Sequence, residues 1–177
     1  MDSTFRLEEV QRALSQTPTT LKALAGGLPG AALHFHEATG AWSPLEVIGH
    51  MADGEIEDWI PRVRIIMAAS GDRTFTPFDR EGGLRRYAGW SLDRLLAEFG
   101  RLRAGSLAAL ADLRITPADL GRQGIHPEFG AVTLEQLLAT WATHDVAHLA
   151  QISRSTVRYF GRHVGPWAKY FSLLRDR

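Results

Sequence analysis

The chain contains no cysteine, carries no net charge and has no long uninterrupted apolar run. Each absence excludes something. Without cysteine there are no disulfides, no thiolate-bound metal and no cysteine nucleophile, and a reducing, cytoplasmic setting is expected. Twenty basic residues balance twenty acidic ones, so no overall field attracts nucleic acid or anionic lipid. The one short basic cluster, Arg80 with Arg85 and Arg86, falls in an expected loop and is expected to be solvated surface. Arg, Asp or Glu interrupts every hydrophobic stretch, so no membrane span is expected, and Met1 to Val10 is too polar for a signal segment. No phosphate loop, dinucleotide fingerprint or G-x-S-x-G elbow occurs. The 177 residues, 45% of them hydrophobic, suit one domain spanning 1–177.

What is present is helical periodicity. Leu7, Val10, Leu14, Leu21 and Leu24 mark a first helical region, from about Thr4 to Leu24, with Thr17-Pro18 predicting a kink or a fresh start. A second helix opens with a capping box, Ser43-Pro44 followed by Glu46, and Trp42 can staple onto Val47. Its stripe is Leu45, Ile48, Ala52, Ile56, Trp59, Val63 and Ile66. His50, Asp53, Glu57 and Arg64 lie on its polar flank, and Pro61 predicts a bend before an end near Ser70-Gly71. A long connection, about Gly71 to Trp90, precedes a third helix starting at Ser91 and running on Leu92, Leu95, Phe99, Ser106 and Leu110. After a second connection, Thr133 and Gln136 form another capping box for a helix expected to reach Phe160, and a short helix is expected over Trp167 to Leu174. No segment reads as a strand. Four amphipathic helices predict an all-α bundle, a fold that builds metal sites from facing helices.

The fourth helix carries His144 and His148 four residues apart, one turn along one face. With Gln151 they sit at the edge of the apolar stripe, facing a boundary between core and cleft. Such a pair either holds a cation or makes hydrogen bonds in a half-buried site. His50 would complete a trio if two helices met, although its wheel position lies off the apolar stripe. Three imidazoles leave a tetrahedral ion one open position, the pattern of catalytic zinc. Asp145 falls in the middle of the apolar stripe and needs partners: a ligand histidine to orient, or a buried hydrogen bond or ion pair that fixes register. Asp53, one turn from His50, either supports the site or belongs to a solvated flank with Glu57. His34, His36 and His163 read as surface residues, and His126 before Pro127 as a cap or packing residue.

Two segments resemble the DinB/YfiT-like superfamily. Trp42-Ser43-Pro44-Leu45-Glu46 through His50, Asp53 and Glu55 is similar to its W-S-x-x-E-x-x-x-H-x-x-D-x-E segment, and His144-Asp145 through His148, Gln151 and Ile152 to its H-D-x-x-H-x-x-Q-I helix. The resemblance implies an up-down-down-up four-helix bundle, often a homodimer. It also implies a divalent transition metal, zinc or nickel by expectation, on His50, His144 and His148. Asp53, Asp145 and Gln151 would then be supporting or pocket residues. Relatives include thiol-dependent transferases and isomerases and proteins described as metal-dependent hydrolases. The function expected is therefore activation of a small thiol cosubstrate or water against a small electrophile. The alternatives are a non-catalytic metal- or small-molecule-binding stress protein and a plain dimerisation module.

Overall fold

The computed structural model describes residues 4–175. Met1–Ser3 and Asp176–Arg177, the ends of the expected domain, lie outside the described residues. Four long helical arms form the body. Helix α1 spans Leu7–Ala25, and a short α2 spans Gly30–Leu33. The second arm is α3 (Pro44–Glu57) followed by α4 (Trp59–Met67). A one-turn α5 (Gly82–Arg86) lies in the long connection, α6 spans Leu92–Asp112, and α7 spans Leu134–Gly161. Among the described residues, no helix is long and apolar enough to cross a membrane.

The ends follow from local chemistry. Ser43 accepts from the Glu46 amide while the Glu46 carboxylate accepts from the Ser43 amide, and Thr133 and Gln136 repeat this reciprocal cap on α7. The expected bend before Pro61 is a full break at Asp58, between α3 and α4. Pro61 cannot donate to the Glu57 carbonyl, which is where the first segment stops. Of the two expectations at Pro18, the fresh start does not hold. Pro18 lies inside a continuous α1 rather than starting a new helix. The carbonyl it leaves without an intrahelical donor, that of Leu14, accepts instead from Arg103 Nη1 at 2.9 Å.

Two apolar clusters stacked along the bundle set its topology. One joins the start of α1 (Val10, Leu14), α4 (Val63, Ile66), the end of α6 (Leu110) and the start of α7 (Leu134, Leu138, Trp141). The other joins the end of α1 (Leu21, Ala25), the start of α3 (Val47, Ile48, Met51), the start of α6 (Leu95, Phe99) and Ile152 late in α7. The α1 and α7 arms therefore run one way, and the α3–α4 and α6 arms the other: up-down-down-up. Helices α1 and α3 each pack against both α6 and α7, and so lie diagonally opposite.

Between the clusters lies a buried ionic knot. Arg103, 1% exposed, donates through Nη2 to Glu55 Oε1 at 2.8 Å and to Asp145 Oδ1 at 3.0 Å. Thr17 Oγ1 donates to Asp145 at 2.6 Å, and Trp141 Nε1 to Glu55 at 3.1 Å. All four arms thus meet at one cation.

The sequence reading found no strand, yet Gln123–His126 (β1) and Gly130–Thr133 (β2) form an antiparallel hairpin. At four residues each, the strands are too short to show a clear period. Arg73–Phe75 adds to its edge: the Phe75 amide donates to Ile125 and the Ile125 amide to Arg73. Phe75 fits beneath Gly124, where a Cβ would come within 2.4 Å of its ring. The expected C-terminal helix is two short 3-10 segments, Gly165–Tyr170 and Ser172–Leu174, with Gly165 at a positive φ of 53°.

Candidate metal centre

Helices α3 and α7 run antiparallel, and their midpoints place His50 opposite His144 and His148. His50 Nε2 lies 3.1 Å from His144 Nε2, and His148 Nε2 lies 3.0 Å from the same atom. One nitrogen from each ring falls within 4.8 Å of the others, the one such group among the described residues. A tetrahedral ion with bonds near 2.0–2.1 Å needs its ligand nitrogens about 3.3 Å apart. The two distances to His144 Nε2 come within a few tenths of an ångström of that spacing.

The donor chemistry fits as well. Gln151 Oε1 accepts from His148 Nδ1 at 2.8 Å, so the proton of this ring sits on Nδ1 and the lone pair of Nε2 faces the trio. Burial, then the neighbouring His148 and the charge of Arg80, holds His50 down to about 4, although the Arg80 backbone opposes the shift. Burial and the other two imidazoles, with Arg103 and Arg80 behind them, hold His144 down to about 2. Burial also lowers His148, against the opposing pull of Gln151 and Asp145. All three rings are therefore neutral near pH 7 and able to ligate. Nδ1 of His50 and of His144 is buried with no hydrogen-bond partner among the described residues. Their orientation comes from packing: Trp42 and Phe78 against His50, at 4.7 and 5.6 Å between ring centres, and Trp59 edge-on to His144 at 5.0 Å.

His50 is 5% exposed, although its wheel position suggested a polar flank. The long connection supplies the reason, because it folds back and lays α5 on α3. The approach depends on a missing side chain, since a Cβ on Gly83 would meet the Gly49 carbonyl oxygen at 2.7 Å and His50 Cα at 2.9 Å. The trio forms part of the wall of a cavity of about 620 Å³, lined also by Asp58, Trp59, Arg62, Phe75, Phe78, Arg80 and Phe129. Such a volume suits a small organic molecule.

Two expected supporting residues are placed elsewhere. Asp145 pairs with Arg103 and Thr17 and makes no hydrogen bond to a histidine among the described residues, which matches the expected buried ion pair. Asp53 is not on a solvated flank. It is 1% exposed and ion-paired with Arg86 Nε at 2.7 Å, in a separate recess with Glu57 and Asp79. Arg86 also binds Glu57 at 2.6 Å and Arg85 binds Asp79, so two of the three arginines in the basic cluster are neutralised locally. His34, His36 and His163 are exposed, and His126 Nδ1 accepts from the amides of Glu128 and Phe129, capping the hairpin turn. The sequence reading missed Arg103, Asp58 and Arg62. Only Arg103 left a signal, sitting on the Phe99–Ser106–Leu110 stripe where an apolar residue belongs.

The geometry has two measurable consequences. Gln151→Leu should weaken metal binding about 10–100-fold, as loss of an outer partner of a ligand histidine does, which a chelator-competition titration measures. The second concerns acid. His50 in the fold lies below its unfolded value near 6.5, so its stabilising contribution is complete above pH 6.5 and is lost as pH falls through about 4. In metal-free protein at pH 4.5, this amounts to on the order of 2–3 kcal/mol. Urea unfolding of His50→Gln should show a correspondingly flatter loss of stability between pH 7 and 4.5 than the parent chain.

Comparison with known proteins agrees with this fold. A protein of Oceanobacillus iheyensis, named "Putative metal-dependent hydrolase OB0782", is 25% identical over 141 residues, covering 79% of this chain and 80% of its own. YfiT from Bacillus subtilis, described as a probable metal-dependent hydrolase with an unusual four-helix bundle topology, superposes with a TM-score of 0.74 at 21% identity, covering 91% of this chain and 92% of that one. The four-helix bundle protein TT2238 superposes with a TM-score of 0.60 at 25% identity, over 84% of this chain and 98% of its own. The family model of the DinB superfamily matches residues 13–152, and the chain belongs to that superfamily.

Proposed function

We propose that the protein is a metal-dependent enzyme acting on a small organic electrophile, with His50, His144 and His148 holding one divalent transition ion, zinc or nickel. The observation that carries this reading is the convergence of three neutral imidazole nitrogens on one point in the wall of a cavity. When bound, an ion with neutral ligands keeps its full charge and makes a coordinated water, or a low-molecular-weight thiol, nucleophilic near neutral pH. Hydrolysis is the leading chemistry, supported by the names that two related proteins carry.

The chain's own residues have separable tasks. Gln151 fixes the tautomer of His148. Trp42, Trp59 and Phe78 hold the rings in place and exclude bulk water from one side of the trio. The aromatic cavity wall, with Phe75 and Phe129, receives the apolar part of a substrate.

Elemental analysis of the purified protein should find about one transition ion per chain. A chain that is metal-free and cannot be loaded overturns the reading. Turnover of an ester and amide panel by the loaded protein, unchanged by added thiol, supports hydrolysis, whereas strict dependence on thiol supports transfer. A stable ion with no turnover in either assay leaves a binding protein.

A further inference from the structure

A second polar group in the same cavity has no task in the metal centre. Arg62, on α4, is only 8% exposed. Its Nε meets Asp58 Oδ1 at 2.6 Å, and its guanidinium lies over the Phe75 ring at 5.1 Å. Among the described residues, its two terminal nitrogens make no hydrogen bond, yet Arg62 lines the cavity. A guanidinium this little exposed has few water contacts to lose, so an acceptor brought into the cavity it lines gains a charge-assisted hydrogen bond.

The free part of this guanidinium selects the ligand. Asp58 meets Nε at 2.6 Å, and with no hydrogen bond at the terminal nitrogens among the described residues, the end-on edge with its two parallel N–H groups is left for a ligand. A carbonyl oxygen would satisfy one of them well, whereas a carboxylate satisfies both. Arg80, also in the cavity wall, makes no ion pair among the described residues and adds a second positive charge. Glu128 is the remaining carboxylate of the lining, exposed at the hairpin tip beyond Phe129. Trp59, which packs edge-on to His144, precedes Arg62 by three residues on α4, a rise of about 4.5 Å. The metal trio and the guanidinium of Arg62 thus line the same cavity.

We propose that the cavity binds a small carboxylic acid with an apolar body, its carboxylate seated end-on against Arg62 and its far end turned towards His50, His144 and His148. This narrows the substrate class of the function proposed above, and rests on that reading only for which end reacts.

The test compares 4-phenylbutyrate with 4-phenylbutan-1-ol, equal in length and apolar body. Each is titrated calorimetrically into protein stripped of metal and into the same protein reloaded with zinc. The acid should bind at least about tenfold more tightly than the alcohol in both forms, as a charged hydrogen-bonded pair implies. The Asp58→Asn/Arg62→Gln double variant removes both charges with a modest loss of side-chain volume, and it should cut the preference for the acid several-fold, leaving only what Arg80 supplies. Equal binding by the parent chain, or an unchanged preference in the double variant, overturns the inference. Comparison of the two compounds in the parent chain decides the matter even if the variant fails to fold. A preference seen only after zinc loading would mean that the ion holds the acid, so this inference fails while the metal reading stands. A chain that takes up no zinc yet prefers the acid through Arg62 gives the opposite outcome: the carboxylate site stands and the metal reading fails.

Discussion

Arg103→Met should destabilise the protein by about 3–5 kcal/mol, the cost of leaving buried charge unpaired. The guanidinium is 1% exposed and faces two carboxylates, Glu55 and Asp145, that are 5% and 2% exposed. Removing the cation leaves both where water cannot reach them, and also leaves the Leu14 carbonyl without its donor. For a chain of this length the loss corresponds to a fall in Tm of roughly 6–20 °C. The companion experiment separates the ion pair from the volume it fills. Arg103→Met combined with Glu55→Gln and Asp145→Asn removes every charge, and it should recover a large part of the loss, because the penalty lies in the stranded carboxylates. Chemical denaturation of metal-free protein measures both variants without interference from a bound ion. A loss for Arg103→Met alone below about 1 kcal/mol, the scale of exposed pairs, would show that the pair contributes no more than a surface contact.

The second large effect belongs to His144. Its Nε2 is the atom that both other imidazoles approach, at 3.1 and 3.0 Å. His144→Ala should therefore weaken metal binding by more than the 10–100-fold expected for an outer partner such as Gln151. The consequence for stability depends on metal. A free ion at a thousandfold excess over its dissociation constant stabilises a native protein by about 4 kcal/mol. Zinc should raise the Tm of the parent chain and barely move that of His144→Ala. Without metal the two should lie close together, because the substitution removes a ring whose buried Nδ1 has no partner while opening a small gap beside Trp59. Equal zinc content in the two proteins after dialysis would remove His144 from the ligand set.

Much of the bundle was legible from local rules. The boxes at Ser43 and Thr133 locate the starts of α3 and α7 because each needs only residues within one turn of the chain. The spacing of His144 and His148 is equally local. What the sequence could not show is how far each helix is covered. A helical wheel assigns one wet side, but α3 is buried continuously from Val47 to Glu55 because α5 lies across the side that looked polar. That is why His50 and Asp53 seemed exposed and are not. Asp145 was recognisable as needing a partner. The partner itself, Arg103, is 42 residues earlier on a helix diagonally across the bundle, a relation no periodicity encodes. The hairpin stayed hidden because its strands are short and its support comes from Arg73–Phe75, some fifty residues away.

Pro18 makes two features depend on each other. A missing amide in α1 frees an oxygen, and the buried guanidinium, already paired with two carboxylates, donates to it as well. A substitution that gave residue 18 its amide back would make the Leu14 oxygen serve two donors, so the helix could become more regular only by loosening its hold on the charge at the centre. Proline at this position is thus a pin that ties the first arm to the third, and its conformational defect is what makes it one.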